Sequence, residues 1–87
     1  MENKKYFELK IVAPNNQIIS NVEFIDFQTP AGGYFIGPDH IDFISILKER
    51  SKFFYKKNGS LQTETMDIYG GFLKIHNGNA LLIVDYL

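Results

Sequence analysis

The sequence contains no cysteine. That absence excludes disulfide staples, a thiolate zinc site and a cysteine nucleophile, and it leaves the redox compartment open. An excess of either charge is missing too: nine Lys and Arg stand against ten Asp and Glu, a formal net charge of −1. A chain that neutralised a phosphate backbone would need a surplus of cations, so nucleic acid is not the expected partner. Long apolar runs are also lacking. The longest, Ala80 to Val84, is the size of a strand and far short of a membrane span, so a membrane role would have to act through a partner. No apolar segment follows Met1-Glu2-Asn3-Lys4-Lys5, and no signal peptide is expected. Internal repeats, low-complexity runs and linkers are absent.

What the 87 residues do contain is 45% hydrophobic and 15% aromatic side chains. That is enough for one compact domain over residues 1–87, with the thin stability margin of a small chain. The dominant period is two. Phe7, Leu9, Ile11 and Ala13 alternate with Glu8, Lys10 and Val12 as a half-buried strand, and Pro14-Asn15-Asn16 turns the chain. Gln17 to Ser20 reads as a short strand. Val22 to Gln28 reads as another, with a bulge near Glu23 because Val22 and Ile25 are out of phase. Further strands are expected at Tyr34 to Ile36, Phe43 to Lys48, Lys52 to Lys57, Leu61 to Tyr69, Phe72 to His76 and Asn79 to Val84. Asn58-Gly59 and Asn77-Gly78 carry the strongest short hairpin signal, so both should be tight turns with positive φ. A single helical turn is expected near Pro38 to Phe43. The fold class is all-β, about ten short strands in a β-sandwich or flattened barrel.

Few residues invite chemistry. His40 and His76 are the two imidazoles. His40 lies between Asp39 and Asp42, which could suggest a general base or a metal site, but a lone His with adjacent carboxylates lacks the three convergent ligands a metal needs, and a structural or contact role is favoured. Gly32-Gly33 and Gly70-Gly71 belong to no phosphate-loop pattern and read as sharp corners. Ser45, Ser51 and Ser60 lie in no strained elbow. No catalytic residue, metal or cofactor is therefore assigned. Phe24, Tyr34, Phe35, Phe53, Phe54 and Tyr55 cannot all face one core, since Phe53 and Phe54 point to opposite faces of a strand. Either both faces are covered internally, or apolar surface is left outside for a partner.

In order and spacing the chain resembles the amino-terminal domain of the epsilon subunit of rotary F-type ATP synthases. The resemblance rests on Phe7 to Pro14, Val22 to Phe27, Pro30 to His40 with its glycine-rich loop and Pro-x-His turn, Ile68 to Ile75 with its Gly-Gly corner, and Leu82 to Asp85. It departs from the family at Gly33, where an acidic residue is frequent, at Phe35, where glycine is usual, and at Ile41-Asp42-Phe43, where Ala-Pro usually follows the histidine.

The resemblance implies a non-catalytic rotor subunit of the central stalk that links the gamma subunit to the ring of c subunits. It would couple ion translocation to ATP synthesis or hydrolysis, with the coupling ion left open. It implies a monomer when isolated, held at the cytoplasmic face of the inner (plasma) membrane through its partners. The expected contacts are Gly32, Gly33, Tyr34, Pro38, His40 and Asp42 in the loops, and Phe24 and Phe54 on a sheet face. The family's carboxy-terminal helices find no counterpart after Asp85, so coupling without self-inhibition or ATP binding is expected. Two alternatives are a stand-alone small barrel that binds an apolar ligand or peptide, and a small hydrolase using His40 with Asp39 or Asp42.

Overall fold

The computed structural model describes residues 5–85, so the amino-terminal Met1–Lys4 and the closing Tyr86 and Leu87 lie outside the described residues. Eight strands follow one another: β1 (Phe7–Ala13), β2 (Asn16–Thr29), β3 (Gly32–Ile36), β4 (Phe43–Ile46), β5 (Ser51–Lys57), β6 (Thr63–Ile68), β7 (Gly71–His76) and β8 (Asn79–Val84). They form one sheet in the order β4-β7-β8-β1-β2-β5-β6, with β3 also paired to β2. All pairings are antiparallel except β1 with β8, which run parallel, Leu9 opposite Ala80 through Val12 opposite Ile83.

The 14-residue β2 makes a sandwich out of one sheet. Its first half pairs with β1, from Asn16 to Val22. Its second half pairs with β5 on one side and with β3 on the other, Thr29 opposite Gly32. β1 and β3 therefore lie end to end along the same edge of β2. Between the halves the register shifts at Glu23. The bulge adds one residue, so Val22 and Ile25 both face inward although they are three apart. The extra twist folds the β5-β6 layer over the β7-β8-β1 layer. On the open side the edges meet again. Lys48 donates its N–H to the Gln28 carbonyl over 2.9 Å, and the Phe43 ring of β4 lies 5.2 Å from the Tyr34 ring of β3.

The curl is filled by side chains. Leu9, Ile11, Val22, Ile25, Phe27, Ile36, Phe53, Ile68, Leu73, Ile75 and Leu82 are almost fully buried. Phe27 stacks on Phe53 at 6.0 Å, centring the core on aromatic contact between β2 and β5. The one buried polar side chain among the described residues, Thr29, closes its own turn: Oγ1 donates to the Gly32 carbonyl at 2.9 Å and accepts from the Ala31 N–H at 3.1 Å.

Three local expectations change. Gln17 to Ser20 and Val22 to Gln28 run as one strand through Asn21, so the strands number eight. The helical turn near Pro38 is a β-turn, since Asp39 adopts φ +62° and a left-handed residue cannot continue a right-handed turn. Asn77-Gly78 is a two-residue hairpin with φ +51° and +79°, as its sequence predicts. Asn58-Gly59 is not. Only Gly59 has positive φ, at +82°, and the last pair, Lys56 with Thr63, leaves a longer loop. That loop is drawn onto β2: Asn58 N–H donates to the Asn21 carbonyl at 2.8 Å and Gly59 N–H to Glu23 Oε2 at 3.0 Å.

Candidate functional site

The expected contact residues fall into a strip and a face. The strip is residues 32–42: β3 and the loop that follows it. Every residue in it except Ile36 is at least partly exposed. Gly32 opens β3 with φ +134°, a conformation that disfavours any side chain. Gly33 is free of that constraint. Tyr34 turns inward at the rim, its ring 5.7 Å from Phe27 and 5.2 Å from Phe43. Gly32 and Pro38 thus lie at opposite ends of β3, so the two expected loops are one continuous exposed segment rather than a single spot.

At the far end of the strip, the loop is tied to the β7–β8 hairpin. Asp42 Oδ1 accepts the Asn77 N–H at 3.1 Å, and His76 Nδ1 lies 3.1 Å from Asp42 Oδ2. The Asn77 N–H in particular holds the Asp42 carboxyl below the usual aspartate range. His40 is not part of this pair. Its Nδ1 donates to the adjacent Ile41 carbonyl at 2.8 Å, and its ring meets Phe43 edge-on at 6.2 Å. Of the two pairings the hydrolase reading named, His40 with Asp42 is not formed, because Asp42 is engaged by Asn77 and His76, and no described hydrogen bond joins His40 to Asp39. Among the described residues no group of three His, Cys, Asp or Glu could hold a metal.

The face lies outside β3-β2-β5. Phe24 and Phe35 stack with centroids 4.8 Å apart, and Phe35 is two-thirds exposed. Phe54 points the same way, because Phe53 and Tyr55 on either side of it are buried. Asp26 sits between them, opposite Phe35 on β3 and opposite Phe54 on β5. At the border of the face Lys56 pairs with Glu23 at 2.9 Å, and that hydrogen bond is the main reason the Glu23 carboxyl is lowered.

A second apolar surface escaped the sequence reading. On the outside of β4-β7-β8-β1, one row runs Ile46, Phe72, Ile83, Val12 across four strands, and the next runs Ile44, Lys74, Leu81, Lys10. Ile44 and Ile46 are about two-thirds exposed. The i, i+2 spacing of these isoleucines was a signal for a shared face. Which face they share, and that it continues over β7 and β8, depends on pairings the sequence does not announce.

The fold and its surfaces define a small, curled β-sandwich domain whose exposed chemistry is apolar contact area and loop backbone. Residues 6–86 match the family described as ATP synthase, Delta/Epsilon chain, beta-sandwich domain, and the chain belongs to that family. No curated protein matches it by sequence. Among solved structures it is similar to a chain of the Tetrahymena thermophila mitochondrial ATP synthase central stalk and c-ring, with TM-score 0.79 and 13% identity over 98% of this chain and 66% of that one. It is also similar to a chain of the Euglena gracilis mitochondrial ATP synthase OSCP/F1/c-ring assembly, with TM-score 0.84 and 16% identity over 97% of this chain and 53% of that one. The chain thus spans between about half and two thirds of the structures it resembles. No helix among the described residues is long and apolar enough to cross a membrane.

Proposed function

We propose that this chain is a non-catalytic rotor subunit of a rotary F-type ATP synthase that joins the gamma subunit to the c-ring. The observation that carries the reading is an outward-facing aromatic cluster, exposed Phe35 with half-buried Phe24 and Phe54, on a sandwich of the Delta/Epsilon family. Both solved structures it resembles belong to ATP synthase assemblies that include a c-ring, which supports placing this domain beside one. The aromatic face meets gamma. The strip from Gly32, Gly33 and Tyr34 to Pro38, His40 and Asp42 meets the ring. Membrane attachment at the cytoplasmic face is then peripheral and runs through those partners. In this role the domain makes and breaks no bonds. It transmits torque, and a sheet closed around an aromatic core suits that task because close-packed interiors deform little.

The test is reconstitution. Added to an epsilon-depleted synthase from the same source, the chain is expected to restore ion pumping coupled to ATP hydrolysis, and to co-purify with gamma and the c-ring. His40→Ala is expected to weaken recovery of the ring while leaving gamma bound. Failure to restore pumping or to bind either partner would overturn the proposal.

A further inference from the structure

The aromatic face has a charge at its centre that no described residue answers. Asp26 is half-buried on the outer side of β2, flanked across both neighbouring strands by Phe35 and Phe54, with Phe24 two residues before it on the same side. The two lysines that flank Phe54 on the same side of β5 are engaged elsewhere: Lys56 bonds to Glu23, and Lys52 bonds to Asp67. The Asp26 carboxylate takes no hydrogen bond and no ion pair from any described residue.

A partner that covers the three phenylalanines cannot avoid covering Asp26. Stripping water from an unpaired carboxylate is costly, and a purely apolar partner would leave that cost unanswered. The occupant must therefore bring a cation to the middle of an apolar contact. A guanidinium suits the position better than an ammonium. It is planar and less strongly hydrated, it stacks on phenyl faces, and it binds a carboxylate with two parallel hydrogen bonds.

We infer that the face formed by Asp26, Phe24, Phe35 and Phe54 receives an arginine of the partner protein, its guanidinium paired with Asp26 and laid against the rings. This rests on the proposed assembly, with gamma as that partner. The arginine then fixes the rotational register of the docked sandwich, since an apolar patch alone tolerates sliding and a central ion pair does not.

Calorimetric titration of the full chain with the gamma subunit from the same organism tests this. Asp26→Asn preserves shape and removes the charge. It is expected to weaken binding on the order of thirtyfold, as loss of one partner of a covered charge pair does. Its melting curve should match that of the unmodified chain. Replacing the arginines of gamma one at a time by methionine should reveal one whose loss is not additive with Asp26→Asn. Equal affinity of Asp26→Asn for gamma, or additivity for every arginine, would overturn the inference while leaving the assembly intact. No binding of gamma to the unmodified chain would overturn both. Should Asp26→Asn instead abolish self-association of this chain, the cation is Arg50 of a second copy and the assignment to gamma falls.

Discussion

Asp42 accepts the backbone N–H of Asn77 over 3.1 Å, so the loop that leaves β3 is held by a hairpin 35 residues farther along the chain. The bond lowers the Asp42 carboxyl, and a lowered carboxyl stabilises the fold only while ionised. The tie is therefore complete above the unfolded aspartate value of about 3.9 and is lost as pH falls through the lower folded value. The Asn77 amide proton should titrate with a midpoint below that of a free aspartate. In Asp42→Ala the same amide should exchange faster with solvent at neutral pH. An Asn77 amide indifferent to both changes would show that the loop is held by something else.

Phe53 is fully buried and packs against Phe27 and Tyr55 with centroids 6.0 and 6.2 Å away. Phe53→Ala should cost about 3–5 kcal/mol in urea unfolding, a large share of the margin a small domain has. A loss under about 1 kcal/mol would mean that the curl closes without this contact.

Two glycines should respond very differently to alanine. Gly71 has φ +152°, and a Cβ there would collide with the Ile83 carbonyl oxygen on β8. Gly71→Ala is expected to destabilise by at least about 2 kcal/mol. Gly33 has no such backbone constraint, and a Cβ there meets only the movable end of the Gln28 side chain. Gly33→Ala should stay within about 0.5 kcal/mol of the parent. Thermal melts of the pair decide whether the Gly-Gly corner or the strip glycine is the structural one.

The two outer apolar surfaces can be separated by placing a charge on each. Phe24→Asp and Phe54→Asp should each lower affinity for gamma at least about tenfold, because each removes a ring from the contact and buries a second carboxylate beside Asp26 with one guanidinium to answer both. Ile46→Asp, on the opposite layer, should leave that affinity unchanged. The reverse pattern would move gamma to the β4-β7-β8-β1 surface.

Much of this fold is readable before any coordinates. The alternation in Phe7–Ala13 gives β1 and its buried side directly. The phase slip between Val22 and Ile25 gives the bulge. Asn77-Gly78 gives the hairpin, because positive φ at both residues suits Asn followed by Gly. Other features depend on partners distant in sequence. Asn58-Gly59 carries the same local signal, yet Asn21 and Glu23 pull its loop into another shape. Asn21 looks like a break, but β2 runs through it because β1 pairs right up to Val22. Phe24 and Phe54 were recognisable as surplus aromatics. That Phe35 joins them, with Asp26 between, follows only from the register of three strands. The tie from Asp42 to Asn77 was hidden for the same reason, and adjacency in sequence pointed to His40 instead.

The parallel pairing of β1 with β8 also bears on how the chain is made. Leu9 emerges from the ribosome long before Ala80, its neighbour in the sheet. Until β8 arrives, β1 can pair with β2 on one side only, and its other edge stays open as a template for stray strands. The sandwich therefore cannot close layer by layer during synthesis. It waits for its final hairpin, with Ile11 and Leu9 exposed in the interval, and such late, long-range closure folds slowly and favours aggregation when translation outruns it. Stalling between Ile68 and Asn79 should be the most hazardous pause for this chain, and stabilising the Asn77-Gly78 turn the most effective relief.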